Sequence, residues 1–113
     1  MFNIFNYRKK YIDQFDKRLE SLKILTNELE SLNKDCSFPF EVQQENKEMI
    51  NVEETNIKCL SNLRNAILNK KQICDKRYLN YIDNSVDELN FYLEELYDIH
   101  SNKNKSAKIG SYQ

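Results

Sequence analysis

The chain has 113 residues, and its 17 lysines and arginines against 18 aspartates and glutamates leave a formal net charge of −1. It contains one glycine and one proline, where average usage gives roughly eight and six. β-Sandwiches, barrels and doubly wound sheets need a turn every ten or so residues and draw on both residue types, so this composition excludes them and predicts an all-α fold.

The same scarcity leaves no room for a glycine-rich phosphate loop, a dinucleotide fingerprint or a G-x-S-x-G nucleophile elbow. Hydrophobic residues are 40% and charged residues 31% of the chain, which suits long helices with solvated faces around a modest core. The longest uncharged run, Met1–Tyr7, is far shorter than the roughly twenty residues of a membrane span. A secretory signal is not expected either, because Arg8, Lys9 and Lys10 follow the apolar residues instead of preceding them. Cys36, Cys59 and Cys74 are odd in number and widely spaced, which fits a reducing, cytoplasmic setting better than a disulfide framework.

In chain order, the first segment carries Ile12, Phe15, Leu19, Leu22, Leu25, Leu29 and Leu32. Steps of three and four are helical and cannot be a strand alternation. The stripe ends near Asn33–Asp35, and Pro39 within Cys36–Phe40 removes a backbone donor and biases Phe38 away from helical angles. Pro39 also suits the first turn of a second helix, with Glu41 at its positive end. That helix has a thinner stripe, Ile50, Ile57, Leu60, Leu63 and Ile67, in which Glu53 and Arg64 take places expected for apolar residues. The polar run Asn69–Asp75 predicts a break, with Asp75 able to cap a third helix. The third stripe is Tyr78, Ile82, Val86, Leu89, Leu93 and Leu96.

These elements predict one domain over 1–102, an up-down-up three-helix bundle with helices near 6–34, 40–70 and 75–101, followed by a flexible basic tail over 103–113. Without the break, helices two and three would join into the longer arm of a helical hairpin with coiled-coil-like packing. Phe91, Tyr92 and Ile24 fall off their stripes, and the exposed apolar surface this implies predicts self-association, most simply a dimer.

Charge is segregated along the chain. Residues 8–18 carry net +3 and 58–77 net +5, whereas 19–35, 41–54 and 82–98 carry −2, −4 and −6. Folding up-down-up gathers the two basic blocks at one pole and the three acidic blocks toward the other. Such segregation steers charged partners.

At the basic pole, Tyr7, Arg8, Lys9, Lys10 and Tyr11 face Lys76, Arg77, Tyr78 and Tyr81. Tyrosine and arginine are the residue types of protein–protein anchors, and lysine with stacking tyrosine is also a nucleic-acid pattern. Asp83, Asp87, Glu88, Glu94, Glu95 and Asp98 form a second candidate surface, an acidic face able to occupy a groove built for phosphates. The basic aromatic pole is expected to carry more of the binding energy than the acidic face. Met1–Phe5 beside the basic cluster is compatible with a membrane-interface helix, although packing against the bundle or a partner is the commoner outcome.

His100 is the lone histidine, expected at the C-terminal end of helix three, where the helix dipole favours its protonated form. Cys59 and Cys74 fall near the stripes and read as small core residues. No metal-ligand spacing, cofactor motif or nucleophile–base pairing stands out, so no catalytic residue, metal or cofactor is expected. The reading is a non-enzymatic protein–protein interaction module: an adaptor, an accessory factor or an inhibitor of a larger machine. The alternative is a nucleic-acid-binding accessory protein that uses the basic, tyrosine-rich pole.

Overall fold

A computed structural model describes the backbone of residues 4–111 and the side chains of residues 6–101. Among these residues the chain forms three helices, α1 (Ile4–Asp35), α2 (Phe40–Leu68) and α3 (Lys76–Ser111), in an up-down-up bundle. Of the Met1–Phe5 segment only the Ile4 and Phe5 backbone is described, and the side chains of that segment and of the basic tail lie outside the description, although the α3 backbone continues through the segment expected as tail.

Each stripe becomes a buried edge. Phe15, Leu22 and Leu29 of α1, Ile67 of α2 and Ile82 and Leu89 of α3 are the innermost apolar side chains, each worth about 1.5–3 kcal/mol relative to exposure. α1 is the spine, packed against both α2 and α3, while no α2 Cα comes within 8 Å of an α3 Cα among the described residues. Cross-helix bonds fix the directions. Arg18 Nε donates to Asp83 Oδ1 at 2.9 Å and Tyr97 Oη to Glu28 Oε1 at 2.5 Å, so α1 and α3 run parallel. Arg64 grips Asp16 through Nε at 2.5 Å and Nη2 at 3.0 Å, while Asn46 bonds Asn33, so α2 runs antiparallel to α1.

Both connections use local chemistry. Pro39 precedes α2, and Phe38 is driven into the core rather than left in the loop. At the far end α2 closes with two bonds, Lys71 N to Ala66 O at 2.8 Å and Lys70 N to Ile67 O at 3.1 Å. This is the Schellman pattern, which requires a left-handed residue and ordinarily takes glycine. Here Lys70 supplies it, with φ of 61°. Asp75 then caps α3, its Oδ1 accepting from Arg77 N at 2.8 Å. The expected break is present, made by a lysine and an aspartate.

The structure corrects four details of the sequence reading. Tyr92 is half-buried against the core rather than exposed, because its hydroxyl reaches inward to Asn46. Cys59 is exposed, while Cys74 is partly buried. His100 is not at a helix end; α3 continues past it, and its ring meets Phe38 edge-on with centroids 6.3 Å apart. Glu53 does not weaken α2 by facing solvent but is itself buried, 7% exposed.

Candidate functional site

The basic pole assembles as its sequence implies. Arg8 Nη1 donates to Ile67 O at 2.5 Å, and the Tyr11 hydroxyl donates to Asp75 O at 2.5 Å, joining the start of α1 to the end of α2 and the α2–α3 link. Burial, with Cys74, Asp75, Tyr78 and Tyr7 nearby, pushes the Tyr11 hydroxyl up to about 12. Tyr11 is a core residue at 5% exposure, so it organises the pole from inside and offers little surface. Tyr78 is half-buried, with its hydroxyl toward Gln72 Oε1 at 3.4 Å.

All four arginines of the chain are engaged within it. Arg8 holds the Ile67 carbonyl, Arg18 holds Asp83, Arg64 holds Asp16 and Arg77 closes on Asp75. Hydrogen bonding to Arg77 holds the Asp75 carboxyl below the usual carboxylate range, and the pairing with Asp16 raises the Arg64 guanidinium. These pairs lie at or near the surface, where solvent screens them, so they add little to stability. Their larger effect is to occupy the donors that a phosphate or a partner carboxylate would use. Lys9, Lys10, Lys70, Lys71 and Lys76 remain exposed. Tyr7 is about half exposed, and Tyr81 turns toward α2, its hydroxyl donating to Asn56 Oδ1 at 2.8 Å.

The acidic set divides. Asp83 is paired with Arg18. Asp87, Glu94 and Asp98 follow one outward line of α3 at steps of seven and four. Phe91 lies within that line, 63% exposed. Glu88 lines the groove between α3 and α2 together with Glu53, and Glu95 follows seven residues later, two turns along the same side of α3. None of Asp87, Glu88, Glu94, Glu95 and Asp98 has an ion pair among the described residues.

A third feature lay beyond the sequence reading. Asn46 is fully buried between the helices; its Nδ2 donates to Asn33 Oδ1 at 2.8 Å and its Oδ1 accepts from the Tyr92 hydroxyl, so one amide joins α1, α2 and α3. Asn46 stands four residues before Ile50 in the α2 stripe, which was the available signal. A polar residue at stripe spacing is passed over when only apolar residues are counted.

No group of three or more histidine, cysteine, aspartate or glutamate side chains suited to a metal occurs among the described residues. No described helix is long and apolar enough to cross a membrane. Compared with known proteins, the chain matches no family model, no curated protein and no solved structure.

Proposed function

We propose that the protein is a non-enzymatic protein-binding module, an adaptor, accessory factor or inhibitor of a larger machine, that meets its partner through the outward face of α3. The observation that carries this is Phe91, a large aromatic 63% exposed among carboxylates that no cation among the described residues neutralises. An apolar ring ringed by one sign of charge is an anchor with a steering field: the ring supplies contact energy and the carboxylates supply on-rate and choice of partner. The partner surface is therefore basic with an apolar pocket, and a groove that ordinarily receives phosphates has that character.

The cytoplasm is the proposed location, and three unbridged thiols support it. Exposed Ile24 and Val52 support self-association as a dimer; light scattering at the 13.6 kDa monomer mass across micromolar concentrations would remove that part of the proposal.

The test is capture from the source cell followed by mass spectrometry, then the same capture with variants. Phe91→Ala and the set Asp87→Ala, Glu94→Ala, Asp98→Ala are expected to lose the partner, and the set Arg8→Ala, Lys9→Ala, Arg77→Ala to keep it. The reverse pattern would return the contact to the basic pole. The exposed lysines there support the nucleic-acid alternative, which predicts binding to generic DNA or RNA that weakens steeply between ~50 and ~200 mM salt.

A further inference from the structure

We propose that the open seam between α2 and α3 is a receptor groove for an arginine side chain of the partner protein, held by Glu53 and Glu88. The inference rests on the reading of the protein as a binding module for a basic partner, and adds a second contact with its own chemistry.

The seam is open because α2 and α3 both pack on α1 and not closely on each other. It leaves a groove of about 500 Å³ whose lining includes Glu53, Asn56, Tyr81, Ser85 and Glu88. Glu53 is 7% exposed, and its Oε2 has no hydrogen-bond partner, which sets it apart from every other buried side-chain oxygen or nitrogen among the described residues. A buried carboxylate oxygen without a donor is destabilising, so a donor arriving from outside gains what the free protein forgoes.

Glu88 stands near enough across the groove to add to the effect of burial in raising the Glu53 carboxyl above its ordinary range, against the pull of a hydrogen bond from Asn56. Farther along the same seam Glu45 and Glu95 flank Tyr92. None of these four glutamates is ion-paired among the described residues. Like charges set against each other along a cleft repel until a cation enters.

Three features select arginine over other cations. The guanidinium presents paired donors that match a carboxylate, and one side chain can bridge Glu53 and Glu88. Tyr81 is about half exposed in the groove lining, with its hydroxyl held by Asn56 Oδ1 at 2.8 Å. Its ring is thereby fixed as a surface on which a planar cation stacks. A divalent metal ion, by contrast, wants six or more oxygens in a shell, and only two carboxylates line this groove.

Fluorescence anisotropy with a labelled, end-blocked peptide carrying three arginines tests this on the full chain, against lysine and citrulline versions of the peptide. Glu53→Gln and Glu88→Gln are each expected to weaken the arginine peptide about tenfold, and the lysine peptide to bind several-fold more weakly than the arginine one. The citrulline peptide should not bind. Glu30→Gln, the same charge change on an exposed residue of α1, is expected to stay within about twofold. Circular dichroism confirms that each variant is folded. If the arginine peptide binds both seam variants as it binds the natural chain but loses affinity for Phe91→Ala, the groove is refuted and the α3 face stands. If lysine and arginine peptides bind alike, or Glu30→Gln weakens binding as much as Glu53→Gln, the attraction is general charge and the groove is refuted. If no peptide binds, the groove and the basic-partner reading both fall.

Discussion

Replacing Asn46 by alanine tests the packing argument where it is sharpest. The substitution removes the acceptor of the Tyr92 hydroxyl and the donor to Asn33. The Tyr92 hydroxyl is left inside, which costs about 2 kcal/mol, and half-buried Asn33 loses about 1 more. The void left by the amide adds about 1 kcal/mol, and the better helix propensity of alanine returns about 0.5. The net is about 3 to 4 kcal/mol, a large share of the stability of a domain this size. In urea, with a slope near 1.5 kcal/mol per molar, the midpoint falls by about 2 M with the slope unchanged. Because Asn46 and Tyr92 share one bond, Asn46→Ala combined with Tyr92→Phe should cost about 1 kcal/mol less than the sum of the two singles. A midpoint shift below about 0.3 M, or a strictly additive pair, would show that the amide is not the three-way tie described above.

Three further outcomes follow from the structure. Glu53→Gln should raise the urea midpoint at neutral pH. The folded-state carboxyl is raised, so its stabilising protonation is complete below the unfolded value and lost as pH rises through the folded one; the advantage of Gln must therefore shrink to nothing in acid, and an advantage independent of pH would refute the assignment. Lys70→Gly should stabilise by about 0.5–1 kcal/mol by removing a side chain from a left-handed position, and a loss of stability would mean that this turn does not persist in solution. Tyr11 and Tyr92 are both pushed up to about 12, and the bond to Glu28 raises Tyr97 as well, so absorbance at alkaline pH should show at least the two buried tyrosines ionising late, with stability present below pH 10 and falling between about 10 and 12; seven tyrosines titrating together would refute their burial.

How much was legible in the sequence depended on whether a signal was local. The stripes of α1 and α3 are intact, and Phe15, Leu22, Ile82 and Leu89 are buried as their spacing requires. The Asn69–Asp75 break was legible because Asp75 offers a cap, although no composition rule names Lys70 as the residue that takes the left-handed turn. The position of Glu53 was visible as an interruption of a stripe, but its meaning was not. Whether a misplaced charge turns outward or is enclosed depends on how far α3 stands from α2, a tertiary distance without a sequence signature. The charge blocks of the basic pole were legible because the up-down-up order sets the start of α1 beside the α2–α3 link. That Arg18, Arg64 and Arg77 would each find a carboxylate was hidden, because two of those pairs span 48 and 65 residues.

The role of α1 as common spine also orders assembly in time. α1 and α2 meet through a turn of four residues, Cys36–Pro39, so their pairing closes a short loop at little entropic cost. The α1–α3 pairs are far apart in sequence, 65 and 69 residues for Arg18–Asp83 and Glu28–Tyr97. Once α2 lies along α1, that distance shrinks to the short link at Asn69–Asp75, and the parallel helix docks almost as cheaply as an antiparallel one. The α1–α2 hairpin is thus the natural nucleus: substitutions such as Leu60→Ala belong on the folding rate, and substitutions such as Leu93→Ala on the unfolding rate. A ribosome delivering the chain from its N-terminus would release those two helices first, and α3 would arrive at a surface already built to receive it.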